Sequence, residues 1–177
     1  MCSVGFGSAF SRRVRLFRIT TQRADRAAAV DGLGACLYPG RWNERGRRAV
    51  YSTTRIPLGI LEIIVQANVT ALVGFVAYPL DVPDDALTRF DRNRLSASWR
   101  TMAGRDACRA IGEEWASAKT SVGLIVPSAV VPEAYAFDDF NVILDSEHPE
   151  FHRVTVGDPI QLDMDTRLAV LVAPTVP

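Results

Sequence analysis

A carboxylate within an apolar helix is the first feature of this sequence that suggests chemistry. Glu62 lies in the segment LGILEIIVQAN (58–68), where its immediate neighbours are leucine, isoleucine and valine. Burying an ionised carboxylate is costly unless hydrogen bonds or an opposite charge compensate for it. Two interpretations are open. Either Glu62 shares one exposed stripe of the helix with Gln66, or it faces a cleft and acts there.

Further polar side chains lie on either side of this helix in the sequence. Arg41 opens the Arg-Trp-Asn turn that ends at Asn43, and a predicted strand carries Tyr51. Ser128 follows a proline at the end of another predicted strand. Each has an ordinary structural interpretation when taken alone: a surface arginine, a half-buried strand residue, a turn residue. Their combination is more informative than any one of them.

Basic residues are concentrated in the first third of the chain. The whole sequence has a formal net charge of zero, but residues 1–60 contain eleven arginines against three acidic residues. Solvated faces explain most of these arginines. The alternative is an anion site, because the planar guanidinium grips a phosphate with two hydrogen bonds. Nucleic acid is another candidate anion. The sequence favours it only weakly, because the chain is neutral overall and has no long basic run.

Several functional classes do not fit the sequence. With 177 residues the chain is long enough for one domain with a core, and it lacks the ~18 uninterrupted apolar residues of a membrane span. The N-terminal segment has its basic residues after its apolar part, the reverse of a secretory signal, so we expect a cytoplasmic protein. Neither the three separate cysteines nor the two histidines show a metal-binding spacing, and we expect no metal site.

Hydrophobic periodicity predicts an α+β fold in a single compact domain. Helices are predicted at 58–68, with Pro57 in the first turn, and at 104–119. Segment 21–40 is predicted to be mostly loop. Segment 84–102 is predicted to form short helices or loop. Strands are predicted at 14–20, 47–53, 70–82, 121–131 and 141–145, with short strands within 154–172. This irregular alternation favours a mixed or mostly antiparallel sheet with flanking helices.

The sequence resembles the RES domain, the toxin component of a family of bacterial toxin–antitoxin modules. The resemblance depends on short motifs that occur in the family's order. The run from GRWN through VYS to LE is the most specific part of it. The motifs are LFRI (16–19), GRWN (40–43), VYS (50–52), LE (61–62), VPSAVVPE (126–133), NVIL (141–144), HPEF (148–151) and D-x-R-L (165–168). The chain departs from the family at Pro39, at Asp145-Ser146 and in the Ile-Pro-Leu-Gly start of the first long helix. These changes affect loop shape more than chemistry.

The resemblance implies a fold, an activity and a site. RES domains have a split, mixed sheet similar to that of ADP-ribosyltransferase toxins, and they degrade NAD by cleaving the nicotinamide–ribose bond. NAD is then a substrate and not a cofactor, and water or inorganic phosphate accepts the ADP-ribosyl group. The implied catalytic residues are Glu62, Arg41 and Tyr51. The implied substrate-binding residues are Arg18, Arg41, Asn43, Tyr51 and Ser128.

The resemblance also implies a partner and a domain arrangement. A helix-turn-helix antitoxin would block the active site in a hetero-oligomer, and DNA would be contacted only through that antitoxin. Residues 1–11 are predicted to be a flexible N-terminus and residues 12–177 the RES domain. Two alternatives remain: a protein ADP-ribosyltransferase that uses the same site, and a non-catalytic nucleic-acid-binding module. No Gly-x-Gly-x-x-Gly follows a strand, so a Rossmann site is not expected.

Overall fold

A curled mixed sheet forms the frame of the molecule. The computed structural model describes residues 12–21, 24–66, 74–132, 139–165 and 167–168, which contain eight strands in one sheet. The strands are β1 (Arg13–Thr21), β2 (Val50–Thr53), β3 (Phe75–Pro83), β4 (Leu87–Arg89), β5 (Gly123–Val126), β6 (Asn141–Leu144), β7 (Thr155–Val156) and β8 (Ile160–Gln161). Their order is β4-β5-β6-β2-β1-β3-β7, and β8 also pairs with β3. Only β4 and β5 are parallel among these described pairs.

The sheet is split between β1 and β2. β1 pairs with β3 along its whole length, but with β2 it forms a single pair, Phe17 with Thr53. Next to this pair, Nη1 of Arg18 donates a hydrogen bond to the backbone oxygen of Tyr51 at 3.2 Å. A guanidinium therefore joins the two strands where regular backbone pairing ends. This confirms the predicted mixed sheet within an α+β fold.

Three helices flank the sheet in the described part of the chain. They are α1 (Leu33–Leu37), α2 (Ile56–Gln66) and α3 (Arg105–Ala118), with short 3-10 turns at Ala28–Val30, Asp84–Ala86, Arg92–Arg94 and Phe151–Arg153. Pro57 lies in the first turn of α2 as predicted, where its missing N–H has no helical partner to lose. Both long helices were predicted from the sequence: α2 begins two residues before its predicted start, and each bound of α3 differs from the prediction by one residue.

Helix α2 covers the split with its apolar side chains. Its isoleucines pack against a cluster formed by Ile19, Phe75 and Ala77 of β1 and β3. The helix is apolar nearly all round, and Leu61 and Val65 remain exposed on its far side. The turn of the helix that carries Glu62 is therefore fixed by packing on one side and open on the other.

Helix α3 packs on the other part of the sheet through an aromatic cluster. A Cβ on Gly112 would lie 1.9 Å from the backbone oxygen of Trp42, so only glycine allows this helix to approach the turn at 40–43 so closely. The buried cluster beneath contains tryptophan, phenylalanine and aliphatic side chains: Trp42, Ala49, Phe90, Trp99, Cys108, Trp115, Ala116, Leu124, Val126 and Ile143. The turn that carries Arg41 is thus anchored from two sides.

Two stretches contain an element that was not predicted, and the strand predicted at 121–131 is shorter, at Gly123–Val126. β4 lies in a stretch predicted as short helices or loop, and it is a strand because it pairs with β5, a tertiary contact that a three-residue segment does not encode. The short helix α1 lies in a stretch predicted as mostly loop. The predicted flexible residues 1–11, the end of the predicted helix at 67–68, the start of the predicted strand at 70–73 and the tail from 169 lie outside the described residues. Within the described ranges, no helix is long and apolar enough to cross a membrane.

Candidate active site

An open cleft lies over the split between β1 and β2. Its walls come from β1, the turn at 40–43, β2, α2, the segment after β5 and the start of β6, so six separate parts of the chain converge on it. The lining residues are Phe17, Arg18, Ile19, Arg41, Trp42, Tyr51, Ser52, Thr53, Gly59, Glu62, Ile63, Gln66, Ala129 and Asn141. Four of the six predicted site residues are among them: Arg18, Arg41, Tyr51 and Glu62.

Glu62 faces this cleft from the second turn of α2. Its Oε1 accepts hydrogen bonds from the Ser128 hydroxyl at 2.8 Å and from the Asn141 side-chain amide at 2.6 Å. Its Oε2 accepts a longer bond of 3.3 Å from Gln66, one helical turn away. Glu62 is half-buried and Gln66 is exposed, and both line the cleft, so the face that they share opens to the cleft.

Arg41 lies on the opposite wall and is held by backbone oxygens. Its Nη1 donates to the oxygens of Trp99 and Thr101 at 2.5 and 3.1 Å, and its Nη2 donates to that of Arg100 at 3.2 Å. These three acceptors fix the guanidinium plane without neutralising its charge. The loop at 99–101 that supplies them was not part of the predicted site.

Arg18 lies at the floor of the split, between two cavities. Its Nε donates to the oxygen of Ala29 at 3.3 Å, in addition to the Nη1 bond to Tyr51. Burial lowers the pKa of Arg18, and the charge of Asp31 opposes that effect. The side chain remains a cation, because the ordinary guanidinium pKa lies far above neutral pH. Arg18 also lines a second, shallower cavity next to α1, together with Asp31, Leu33 and Val50.

Tyr51 lines the cleft, and its hydroxyl is engaged within the protein. The hydroxyl donates to Oδ1 of Asn43 at 2.8 Å and accepts from the backbone N–H of Trp42 at 2.9 Å. A Cβ on Gly40 would lie 2.4 Å from this hydroxyl, so the first glycine of the GRWN motif makes room for it. Burial raises the pKa of Tyr51 well above its ordinary value, so the phenol is neutral at physiological pH.

The structure does not bring Asn43 into the cleft. Its side chain is 1% exposed, and Oδ1 accepts from the backbone N–H of Gly40 as well as from Tyr51. Its Nδ2 donates to the backbone oxygens of Ala35, Glu44 and Arg47 at 2.9, 3.0 and 3.3 Å. Asn43 therefore shapes the turn from behind, which differs from the predicted contact with substrate.

Ser128 is buried beside Glu62 and is not among the residues that line the cleft. Its side chain is 2% exposed, and its oxygen also accepts from the backbone N–H groups of Val130 and Val131 at 3.0 and 3.2 Å. The hydroxyl proton is thereby directed to Glu62. Ser128 contributes by holding the carboxylate, which is a narrower role than the predicted polar contact in the site.

Asn141 is a residue of the site that the sequence reasoning missed. It opens β6, lines the cleft and donates to Glu62. Asn141 is the first residue of the NVIL motif, which the sequence resemblance includes. Nothing in the sequence alone connects that motif to the helix of Glu62. The link exists only through the pairing of β6 with β2 and β5.

The histidines do not form a metal centre with other side chains. His148 Nε2 is 3.0 Å from the backbone oxygen of Lys119, and its Nδ1 accepts from the N–H of Glu150 at 3.1 Å. His152 Nδ1 is 3.0 Å from the oxygen of Pro149. In the described ranges, no group of three or more His, Cys, Asp or Glu side chains is placed to hold a metal ion.

The fold and the cleft define an α+β protein with an open cleft at a split in its sheet. The RES domain matches residues 15–165, so this chain belongs to the RES-domain family. That match falls within the predicted domain at 12–177.

Known relatives and a solved structure extend this similarity. Toxin Res of Photorhabdus laumondii is 33% identical, over 86% of this chain and 96% of that protein. The Prs ADP-ribosylating toxin of Sphingobium sp. is 30% identical, over 76% of this chain and 83% of that protein. A chain of the M. tuberculosis MbcT–MbcA toxin–antitoxin complex has the same fold, with a TM-score of 0.67 at 17% identity over 93% of this chain and 91% of that one.

Proposed function

We propose that this protein cleaves the bond between nicotinamide and ribose in NAD and acts as a toxin by depleting it. One observation carries the proposal: a half-buried carboxylate and two guanidinium groups, all held by neutral partners, line the same cleft. An acid that stabilises a sugar cation, beside cations that bind phosphates, is what this reaction needs. Membership of the RES-domain family supports the same activity.

The chemistry places its main demand on Glu62. When the bond from the ribose C1 to the nicotinamide nitrogen breaks, both bonding electrons leave with nicotinamide, which becomes neutral. The ribose is left as an oxocarbenium-like cation, which a nearby carboxylate stabilises, as in glycoside hydrolysis. Water or phosphate then forms the new bond to C1, and a proton is lost when water is the acceptor. No metal or further cofactor is needed for this balance.

Arg18 and Arg41 are suited to hold the diphosphate. Their charges are retained because their partners are backbone oxygens, and a guanidinium binds phosphate oxygens in charge-assisted pairs. Arg18 lines both the main cleft and the cavity next to α1. A ligand with two ring systems joined by a diphosphate fits two cavities that share a cation. The ring of Tyr51 offers a flat apolar surface to one of those ring systems.

Product analysis tests the proposal and separates the two acceptors. The purified protein is incubated with NAD in phosphate-free buffer and in buffer with inorganic phosphate, and products are separated by chromatography. We expect nicotinamide release in at least one buffer. ADP-ribose without phosphate identifies a glycohydrolase, and a phosphate-dependent reaction that yields ADP-ribose 1″-phosphate identifies a phosphorylase. Intact NAD in both buffers would refute the proposal.

Protein ADP-ribosylation is the second candidate function. The relative from Sphingobium sp. that is named an ADP-ribosylating toxin favours it, and a target side chain would replace water at the same cleft. NAD labelled in its adenosine half distinguishes the two activities. A label that stays on protein after denaturing electrophoresis supports transfer. A label found only in small molecules supports hydrolysis or phosphorolysis.

A cognate antitoxin is the partner that we propose. A chain of a solved toxin–antitoxin complex shares the fold, which supports such a partner here. We expect the antitoxin to carry a helix-turn-helix, to occupy the cleft in a hetero-oligomer and to provide the only contact with DNA. Addition of a co-encoded helix-turn-helix protein should abolish nicotinamide release at equimolar amounts. Release that continues in the complex would contradict occlusion of the cleft.

The nucleic-acid alternative receives little support from the structure. Several arginines of the basic N-terminal third are engaged within the protein, which leaves fewer of them to hold a phosphate backbone. Arg15 pairs with Asp81, Arg26 with Asp158, Arg47 with Glu113 and Arg55 with Asp139. Strongly salt-dependent binding of RNA or DNA by the isolated protein would revive this alternative.

A further inference from the structure

The two oxygens of the Glu62 carboxylate are held unequally. Oε1 accepts two short hydrogen bonds, from Ser128 and Asn141, whereas Oε2 accepts one long bond from the exposed Gln66. A carboxylate oxygen offers about two in-plane acceptor positions, so Oε1 is filled. Oε2 keeps the capacity to accept a hydrogen bond from a ligand.

The donor on Asn141 is fixed by the middle of the sheet. Asn141 pairs with Thr53 of β2 on one side and with Val126 of β5 on the other. Its side chain is 8% exposed, so both the backbone and the side chain have little freedom. A functional group carried by a paired strand is held more firmly than one carried by a loop. Gln66, on the exposed last turn of α2, has no comparable support.

The other half of the Asn141 amide has no hydrogen-bond partner within the described ranges. Its Oδ1 is buried and lacks a hydrogen bond among the described residues. An unpaired buried acceptor costs free energy. An asparagine that served only stability would therefore be expected to have both its amide oxygen and its amide nitrogen hydrogen-bonded. The side chain instead directs its donor at Glu62 and leaves its acceptor unused, an arrangement that favours the geometry of the carboxylate over the stability of the fold.

We propose that Asn141 is a positioning residue for Glu62. Together with Ser128, it ties Oε1 to the sheet, fixes the rotation of the carboxylate and leaves Oε2 directed to the ribose of the ligand. This inference rests on the proposed function and adds to it the residue that sets the orientation of the acid. Loss of the Asn141 donor frees the carboxylate to turn, which lowers the rate of bond cleavage more than it weakens binding of NAD.

Steady-state nicotinamide release by Asn141 variants tests this role. Asn141→Ala removes the donor, and Asn141→Leu removes it while keeping a similar shape, so a folding defect in one variant does not leave the role unexamined. We expect kcat to fall about 10- to 100-fold in either folded variant, with KM within about twofold, since misplaced catalytic groups cost up to about 100-fold. The matched control is Asn93→Ala, at an exposed position of a 3-10 turn, which should keep wild-type kinetics.

A double-variant cycle shows whether Asn141 acts through Glu62. In the Glu62→Gln background, Asn141→Ala should lower the residual rate by less than about twofold, because the group that it positions is already altered. An equal loss in both backgrounds would assign Asn141 a merely structural effect and overturn the inference, as would a wild-type kcat in Asn141→Leu. If the wild-type protein releases no nicotinamide, the proposed function fails first, and the positioning role falls with it.

Discussion

At the scale of single residues, the charged groups of the cleft are held by neutral partners. Glu62 is bonded by a hydroxyl and two amides, and Arg41 by three backbone oxygens. Hydrogen bonds of this kind fix orientation while the formal charges stay uncompensated. A direct Glu–Arg pair in the cleft would instead have satisfied both groups before a ligand arrived. The cleft therefore presents ordered charges of both signs, as the proposed function requires.

Arg41→Lys should weaken NAD binding. A lysine keeps the charge but cannot donate to the oxygens of residues 99–101 and to a phosphate in one fixed plane. We expect KM for NAD to rise about tenfold, equivalent to about 1.4 kcal/mol, with a smaller change in kcat. Initial rates of nicotinamide release over a range of NAD concentrations measure both. Arg45→Lys, at an exposed position close by in the chain, is the matched control. An unchanged KM in Arg41→Lys would remove Arg41 from the binding site.

At the scale of elements, the site depends on how closely helices approach the sheet and its loops. Helix α3 contacts the turn at 40–43 where Gly112 faces the backbone oxygen of Trp42. That contact supports the turn from behind. The turn carries Arg41 and encloses the hydroxyl of Tyr51. The position of α3 is thus transmitted to the cleft although no residue of α3 lines it.

Gly112→Ala should therefore damage both stability and activity. Its Cβ would overlap the Trp42 oxygen at 1.9 Å and force the helix and the turn apart. Overpacking of this kind costs about 1–3 kcal/mol, which chemical unfolding in urea measures. Gly34→Ala in α1 is the matched control, because its Cβ would meet nothing within 4 Å. Removing a helical glycine there should leave stability unchanged or raise it by up to about 1 kcal/mol. Equal stability of the two variants would contradict the proposed contact.

The sequence predicted the long elements and four of the residues that line the cleft, and it failed where tertiary contacts decide. Periodicity identified α2 and α3, and the alternation of β1 was clear, because these segments bury one regular face. β4 was missed, since its three residues form a strand only through pairing with β5. Asn141 was missed for a related reason: its neighbour in the site lies 79 positions away in the sequence. Asn43 was assigned to the substrate because a buried polar side chain and a binding residue look alike in sequence.

At the scale of the whole molecule, an ion pair between the partly exposed Lys119 and the buried Asp145 joins the end of α3 to the end of β6. Nζ of Lys119 lies 2.5 Å from Oδ2 of Asp145, whose side chain is 1% exposed. Lys119 itself adopts a left-handed backbone conformation just after α3, with φ of 50°. The same turn is held by His148, whose ring bonds to the oxygen of Lys119. These contacts fix the helix layer to the centre of the sheet, away from the cleft.

Lys119→Met should destabilise the fold without changing the chemistry. It leaves the Asp145 carboxylate buried without its cation, a change that costs about 3 kcal/mol. Addition of Asp145→Asn should recover part of that loss. Arg94→Met is the control, because Arg94 and Glu114 form an exposed pair that contributes about 0–1 kcal/mol. Urea unfolding measures all four proteins. A loss in Lys119→Met no greater than in Arg94→Met would contradict a structural role for the Lys119–Asp145 pair.

We propose that Glu62 drives the cleavage, and the rate of nicotinamide release by Glu62→Gln is the measurement that tests this role. The change keeps the shape of the side chain and removes its charge, while Glu114→Gln does the same at an exposed position of α3. We predict a fall in kcat of about 100- to 1000-fold for Glu62→Gln, the typical effect of one electrostatic group, at an unchanged melting temperature. Glu114→Gln should retain the wild-type rate. A Glu62→Gln protein that releases nicotinamide as fast as the wild type would contradict the account.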